Sequence, residues 1–165
     1  MHANEQCIRN FYAAFAKRDA DGMAKCYHPD IAFTDPAFPM LRGEEASAMW
    51  AMLTSRAKDD FEIILVEASY NDTANAEGGT AKWEAEYTFT QTGRKVHNKI
   101  SAVFAFRDGK IVRHVDRFPF WRWSSQALGS IGLLLGWSLP IKAVVRKKAK
   151  AALAQFMEKG QYPKC

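Results

Sequence analysis

A chain of 165 residues, 48% hydrophobic, 13% aromatic and 25% charged, suits one globular domain and excludes a disordered, collagen-like or disulfide-scaffold protein. At this length roughly two-thirds of the unfolded surface is buried, so the core needs no metal or disulfide staple. The net charge of +5 is unevenly placed: residues 117–165 hold nine Lys/Arg against Glu158 alone, and the first 116 residues are net −3. An anionic partner is therefore expected at the tail only.

In chain order, residues 4–18 place Ile8, Phe11, Tyr12, Phe15 and Ala16 on one helical stripe. Asp19, Asp21 and Gly22 interrupt it. A short second helix follows, with Met23, Cys26 and Tyr27 on one side, and His28-Pro29-Asp30 ends it as a loop. Residues 31–36 read as a strand entering a loop, because Pro36 disfavours helix at Asp35. Arg42-Gly43-Glu44-Glu45 opens a third helix carrying Ala46, Met49, Trp50 and Leu53. From residue 61 the helical period gives way to alternation. Residues 61–70 form a strand, 71–79 are turn-rich, and 80–91 alternate, with Trp83, Ala85, Tyr87 and Phe89 on one face. Thr92-Gly93-Arg94 and Asp108-Gly109 are hairpin turns around a strand at 95–107, and 110–118 is the last strand. Helices followed by hairpin strands mean an α+β fold with a mainly antiparallel sheet.

The tail breaks this pattern. Residues 125–139 are apolar but too short to span a bilayer. Residues 141–158 read as a basic amphipathic helix, with Ile141, Val144, Val145, Leu153 and Phe156 against Lys142, Arg146, Lys147, Lys148 and Lys150. Three uses are open to it: a lid that packs Trp121, Trp123 and Leu133–Leu135 over the sheet or a pocket mouth, a dimer interface, or weak contact of 141–158 with an anionic membrane surface. Gly129, Gly132 and Gly136 permit close helix contact and favour the lid. No nucleic-acid-reading module accompanies the basic run, so no nucleic acid is expected. Cys7, Cys26 and Cys165 are odd in number without CxxC spacing, which points to a reducing compartment. With a polar start that shows no signal peptide, the expected location is cytoplasmic.

The strings FYAAFAKRDADGMAKCYHPDIAFTDP, LRG, GRK and FAFRDGKIVRHVDRF, within residues 5–118, resemble the nuclear transport factor 2-like superfamily, also called SnoaL-like or ketosteroid isomerase-like. The resemblance implies a curved sheet wrapped into a cone, closed by the N-terminal helices around an apolar pocket. Residues 1–118 would form this domain, and 119–165 a C-terminal helical extension packed on it. A homodimer through the outer sheet face is also implied. Carried over by position, Asp35 matches the general-base aspartate of ketosteroid isomerases, and Asp116 the acid/base aspartate of SnoaL-like cyclases. Trp50, Trp83, Tyr87 and Phe104 fall on pocket-facing positions, and the aromatic residues themselves add Tyr27 to a set that would line a hydrophobic ligand. Two isomerase donors are replaced: the oxyanion tyrosine by Phe11 and the protonated aspartate by Ala102. Steroid isomerisation itself is therefore not expected.

The residues themselves support the same sites with simpler readings beside them. A carboxylate in an apolar cavity is raised in pKa and becomes a usable acid or base. Asp35 would otherwise cap a turn before Pro36, and Asp116 pair with Arg113, His114 or Arg117. Alternation puts His114 on the face of Asp116, where it can tune that carboxylate or simply be hydrogen-bonded in the core. His97 falls on the opposite face, and His28 on the loop ending the second helix. No metal spacing or cofactor motif is present, so a site free of metal and cofactor is expected. The reading is a cofactor-independent isomerase, cyclase or lyase-type enzyme for a hydrophobic small molecule. The alternative is a non-catalytic small-molecule-binding or protein-association module of the same fold.

Overall fold

The computed structural model of the chain describes residues 1–73 and 76–165. Helices α1 (Ala3–Ala16) and α2 (Ala20–Cys26) lead into β1 (Tyr27–Thr34), β2 (Leu41–Arg42) and α3 (Glu44–Ser55). Four longer strands follow: β3 (Glu62–Thr73), β4 (Ala76–Phe89), β5 (Arg94–Arg107) and β6 (Lys110–Arg117). The chain then continues through α4 (Phe120–Leu128), α5 (Ser130–Leu135) and α6 (Leu139–Glu158). The strands make one curved, unclosed sheet in the order β2-β1-β6-β5-β4-β3, consistent with a nuclear transport factor 2-like cone. It is antiparallel except where β1 lies parallel to β6. The α+β expectation with a mainly antiparallel sheet is met.

The core explains the helical stripe of α1. Ile8, Phe11, Tyr12 and Phe15 are all buried and share one cluster with Met49, Trp50, Trp83 and Phe104. Each such side chain contributes roughly 1.5–3 kcal/mol by leaving water. The N-termini of both leading helices are capped by side chains: His2 accepts the Asn4 N–H at 3.2 Å, and Asp19 the Gly22 N–H at 2.9 Å.

Four local expectations are corrected. Tyr27 is not on α2 but opens β1, and His28-Pro29-Asp30 lie within that strand. Pro29 restricts His28 to extended backbone, and Tyr27 pairs instead with Ile111 of β6. Arg42 belongs to β2, and α3 starts two residues later, after Gly43 turns the chain at φ +52°. Within the turn-rich stretch 71–79, pairing continues through Asn71↔Gly78, Asp72↔Glu77 and Thr73↔Ala76, while residues 74 and 75 lie outside the described residues. Gly79 marks a close approach: a Cβ there would stand 2.6 Å from Ile8 Cδ1.

The fourth correction concerns the tail. Gly129, at φ +66°, divides the apolar run into α4 and α5. Gly132 lets α5 fold back on α4, since a Cβ there would meet the Ser124 carbonyl oxygen at 1.8 Å. Phe120, Trp123 and Ala127 pack with Val96, Ile141 and Val145 in a second cluster, and Leu153 of α6 joins the main core. The apolar positions of α6 thus largely point inward. Trp121 and Leu133–Leu135, expected to pack down, remain exposed, because the fold-back spends the glycine face of α5 and leaves its leucines outside. Among the described residues no helix is long and apolar enough to cross a membrane.

Candidate functional site

Asp35 follows β1 directly. Its Oδ1 accepts the N–H groups of Ala37 (2.7 Å) and Phe38 (2.5 Å), and its own N–H donates to the Phe38 carbonyl at 2.9 Å. The turn-capping reading is therefore correct as geometry. It does not exhaust the residue, because both hydrogen bonds fall on one oxygen. Burial among protein atoms, with Asp116 adding like charge, pushes the carboxyl up to about 7 against the pull of those two N–H groups and of Arg146. Arg146 comes from α6, where its Nε donates to the Pro36 carbonyl at 3.0 Å. α6 of the tail thus reaches the Asp35 loop.

Asp116 and His114 project from β6 on the same buried face, 4% and 0% exposed, as alternation predicts. His114 Nε2 lies 3.0 Å from Asp116 Oδ1, and Nδ1 lies 2.8 Å from the Tyr27 hydroxyl. Trp50 Nε1 donates to that hydroxyl at 2.8 Å, and Trp83 Nε1 donates to Asp116 Oδ1 at 3.3 Å. One donor order satisfies every group: Trp50 donates to Tyr27, Tyr27 to His114 Nδ1, and His114 to Asp116 through Nε2–H. These side-chain hydrogen bonds to Asp116 also meet a single oxygen, Oδ1.

The expected ligand-lining residues divide by role. Tyr27, Trp50 and Trp83 belong to this hydrogen-bonded chain. Phe104 packs 4.5 Å from the His114 ring. Tyr87 lies toward the tail, where its hydroxyl accepts from Trp123 Nε1 at 2.9 Å, and burial, with the Asp35 charge adding to it, raises its pKa. Between them, Trp50 meets Phe15 at 4.9 Å and Phe11 at 5.6 Å, and Trp83 meets Phe15 at 5.6 Å. Surface clefts of about 420 Å³, beside Arg18 and Phe156, and about 160 Å³, beside Val66 and Lys99, are lined by neither aspartate.

Tyr12 escaped the sequence reading as a functional residue. Its hydroxyl is buried without a hydrogen-bond partner among the described residues, and burial with the nearby Asp116 charge raises it well above the usual tyrosine value. The available signal was a hydroxyl-bearing ring on the buried stripe of α1. Phe11, the position of the isomerase oxyanion tyrosine, stacks on Tyr27 at 5.2 Å, and Ala102 pairs with Asp116 across β5 and β6. His97 lies on the outer face beside Glu84, as expected. His28 is part-buried in β1, 3.7 Å from Asp108, rather than on a helix-ending loop. Among the described residues no group of three or more His, Cys, Asp or Glu side chains is arranged to hold a metal ion.

The SnoaL-like domain family model matches residues 8–114, well over half of the chain, and the protein belongs to that family. No curated protein matches it. Among solved structures, an LEH-like epoxide hydrolase of M. tuberculosis aligns at 17% identity and a TM-score of 0.61, covering 82% of this chain and 97% of that one. A candidate polyketide cyclase of Xanthomonas campestris pv. campestris aligns at 21% identity and a TM-score of 0.58, covering 76% and 96%. TerC co-crystallised with polyporic acid aligns at 18% identity and a TM-score of 0.60, covering 78% and 100%. At these identities the likeness establishes the fold.

Proposed function

We propose, on the premise of that family membership, that the protein is a cofactor-independent isomerase, cyclase or lyase-type enzyme that moves protons on a hydrophobic small molecule. The observation that carries this reading is a pair of carboxylates, Asp116 buried and Asp35 part-buried, whose side-chain hydrogen bonds fall on Oδ1. Oδ2 of each is then the working oxygen. Asp116, oriented by His114 and Trp83, acts as the base, while Asp35, raised to about 7, still carries a proton near neutrality and acts as the acid. Tyr12 donates its unpartnered hydroxyl to a ligand oxygen, a stabilising contact for charge that develops there. His114, hydrogen-bonded between Tyr27 and Asp116, positions Asp116. Similar folds in TerC, co-crystallised with polyporic acid, in a candidate polyketide cyclase and in an LEH-like epoxide hydrolase support oxygenated, largely apolar substrates.

The second reading, a non-catalytic binding or association module, is favoured by the rings of Phe11, Phe15 and Trp50 packed between the expected ligand positions. Organic extraction and mass spectrometry of the purified protein identify any co-purified ligand. Turnover is then followed across aromatic polyketide-like ketones and epoxides in the wild type, Asp35→Asn and Asp116→Asn. A fall of about a hundredfold or more in both variants is expected. Unchanged turnover in both overturns the assignment, and binding without turnover supports the module.

A further inference from the structure

We infer that α5, with its junctions to α4 and α6, is a docking tip that seats on membrane surfaces rich in anionic headgroups. Six apolar side chains within residues 131–139 face outward: Ile131, Leu133, Leu134, Leu135, Trp137 and Leu139 are about half exposed or more, reaching 81% at Leu139. Scattered surface leucines are ordinary, but this many in nine residues form a patch with a use.

The backbone beneath the patch is prepared for a medium without water. The last carbonyls of a helix lack intrahelical donors, and in a solvated loop water supplies them. Here the Trp121 indole N–H donates to the Leu133 carbonyl at 3.0 Å, and that of Trp137 to the Leu134 carbonyl at 2.9 Å. The Leu135 carbonyl accepts both the N–H (2.8 Å) and the hydroxyl (2.6 Å) of Ser138, and the Gly132 carbonyl accepts the Gly136 N–H at 2.8 Å. Backbone groups already paired internally are what lipid demands and what water does not. The same bonds satisfy both indole N–H groups, so these rings can enter the headgroup region without losing a partner.

Charge selects the occupant. Residues 119–157 contain no Asp or Glu, and Arg122 of α4 and Lys147, Lys148 and Lys150 of α6, the two helices that flank α5 in the chain, are exposed. A two-fold pairing of this face with a second copy would bring each basic flank toward its equal. An anionic lipid surface takes the apolar residues and the cations together.

The test sediments the full-length protein with vesicles of phosphatidylcholine alone and with about one-third phosphatidylglycerol. Binding to the anionic vesicles is expected, at least about tenfold weaker to the neutral ones, with a blue shift of tryptophan emission. Leu134→Glu and, separately, Leu139→Glu should each weaken it about tenfold or more. Lys147→Glu combined with Lys148→Glu should weaken anionic binding about tenfold and leave neutral binding unchanged. These positions are exposed, and far-ultraviolet circular dichroism checks that each variant stays folded. Absence of vesicle binding, equal binding to both vesicles, or undiminished binding by the leucine variants overturns the proposal. A lipid-free dimer that Leu134→Glu dissociates, in a protein that ignores vesicles, assigns the face to a second copy instead. The outcome is independent of whether the interior site is catalytic.

Discussion

Replacing Asp35 by Asn removes a charge and leaves its turn in place, because the side-chain oxygen of Asn still accepts the Ala37 and Phe38 N–H groups. The wild-type carboxyl titrates at about 7 in the folded chain, against 3.8 ordinarily. Between about pH 4 and 7 the folded state holds a proton that the unfolded chain has lost, so unfolding free energy falls as pH rises through that window. At about 1.4 kcal/mol per pKa unit the fall is bounded near 4 kcal/mol. Asp35 keeps some contact with solvent, which screens its charge, so about 2 kcal/mol is the expected size. The assay is urea unfolding followed by tryptophan fluorescence across about pH 4 to 8. Asp35→Asn should match the wild type near pH 4 and exceed it by about 2 kcal/mol near pH 8. The difference between the two proteins isolates Asp35, because Asp60, lowered to about 2 chiefly by its bond to Lys95, titrates below this window. A difference that does not change with pH refutes the buried-acid argument and removes Asp35 as the acid.

Tyr12→Phe deletes a hydroxyl that has no partner among the described residues, so unfolding free energy should stay level or rise by up to about 1 kcal/mol. Affinity for the co-purified or best-turned-over ligand should fall about tenfold, and a stability loss above about 1 kcal/mol would reveal a structural role instead. His114→Ala strips a partner from both Asp116 and Tyr27 and opens a void beside Phe33 and Phe104; it should cost about 3–4 kcal/mol in urea unfolding. A loss below about 1 kcal/mol would mean the buried network is not structural. Gly132→Ala forces α5 off the Ser124 carbonyl, so the Tm should drop in line with about 1–3 kcal/mol. An unchanged Tm would show that α5 does not rest on α4.

Where a property followed from a short repeat, it was legible in the residues. The two-residue spacing of His114 and Asp116 placed both on one face of β6, and burial of both bears this out. The stripe of α1 and the alternation of β4 were legible for the same reason. Tyr27 was misplaced because a one-residue difference at a helix end decides between α2 and β1, and the deciding partner, Ile111, is far along the chain. The tail was half legible. Its glycines pointed to close helix contact, but the fold-back of α5 on α4, and which apolar residues it leaves outside, was set by the packing.

Local chemistry alone settled the succession of N-terminal helices and hairpin strands, the alternation of β4, the basic tail and the candidacy of the two aspartates, because these depend on residue type and on periods of a few residues. Tertiary packing alone decided that Arg146 would reach the Asp35 loop and that Trp50, Tyr27 and His114 would hand hydrogen bonds toward Asp116. It also decided that the Tyr12 hydroxyl would lack a partner among the described residues. Hydrogen-bond partners and dielectric surroundings are set by whatever the fold brings within a few ångströms, and here that comes from strands and helices tens of residues apart.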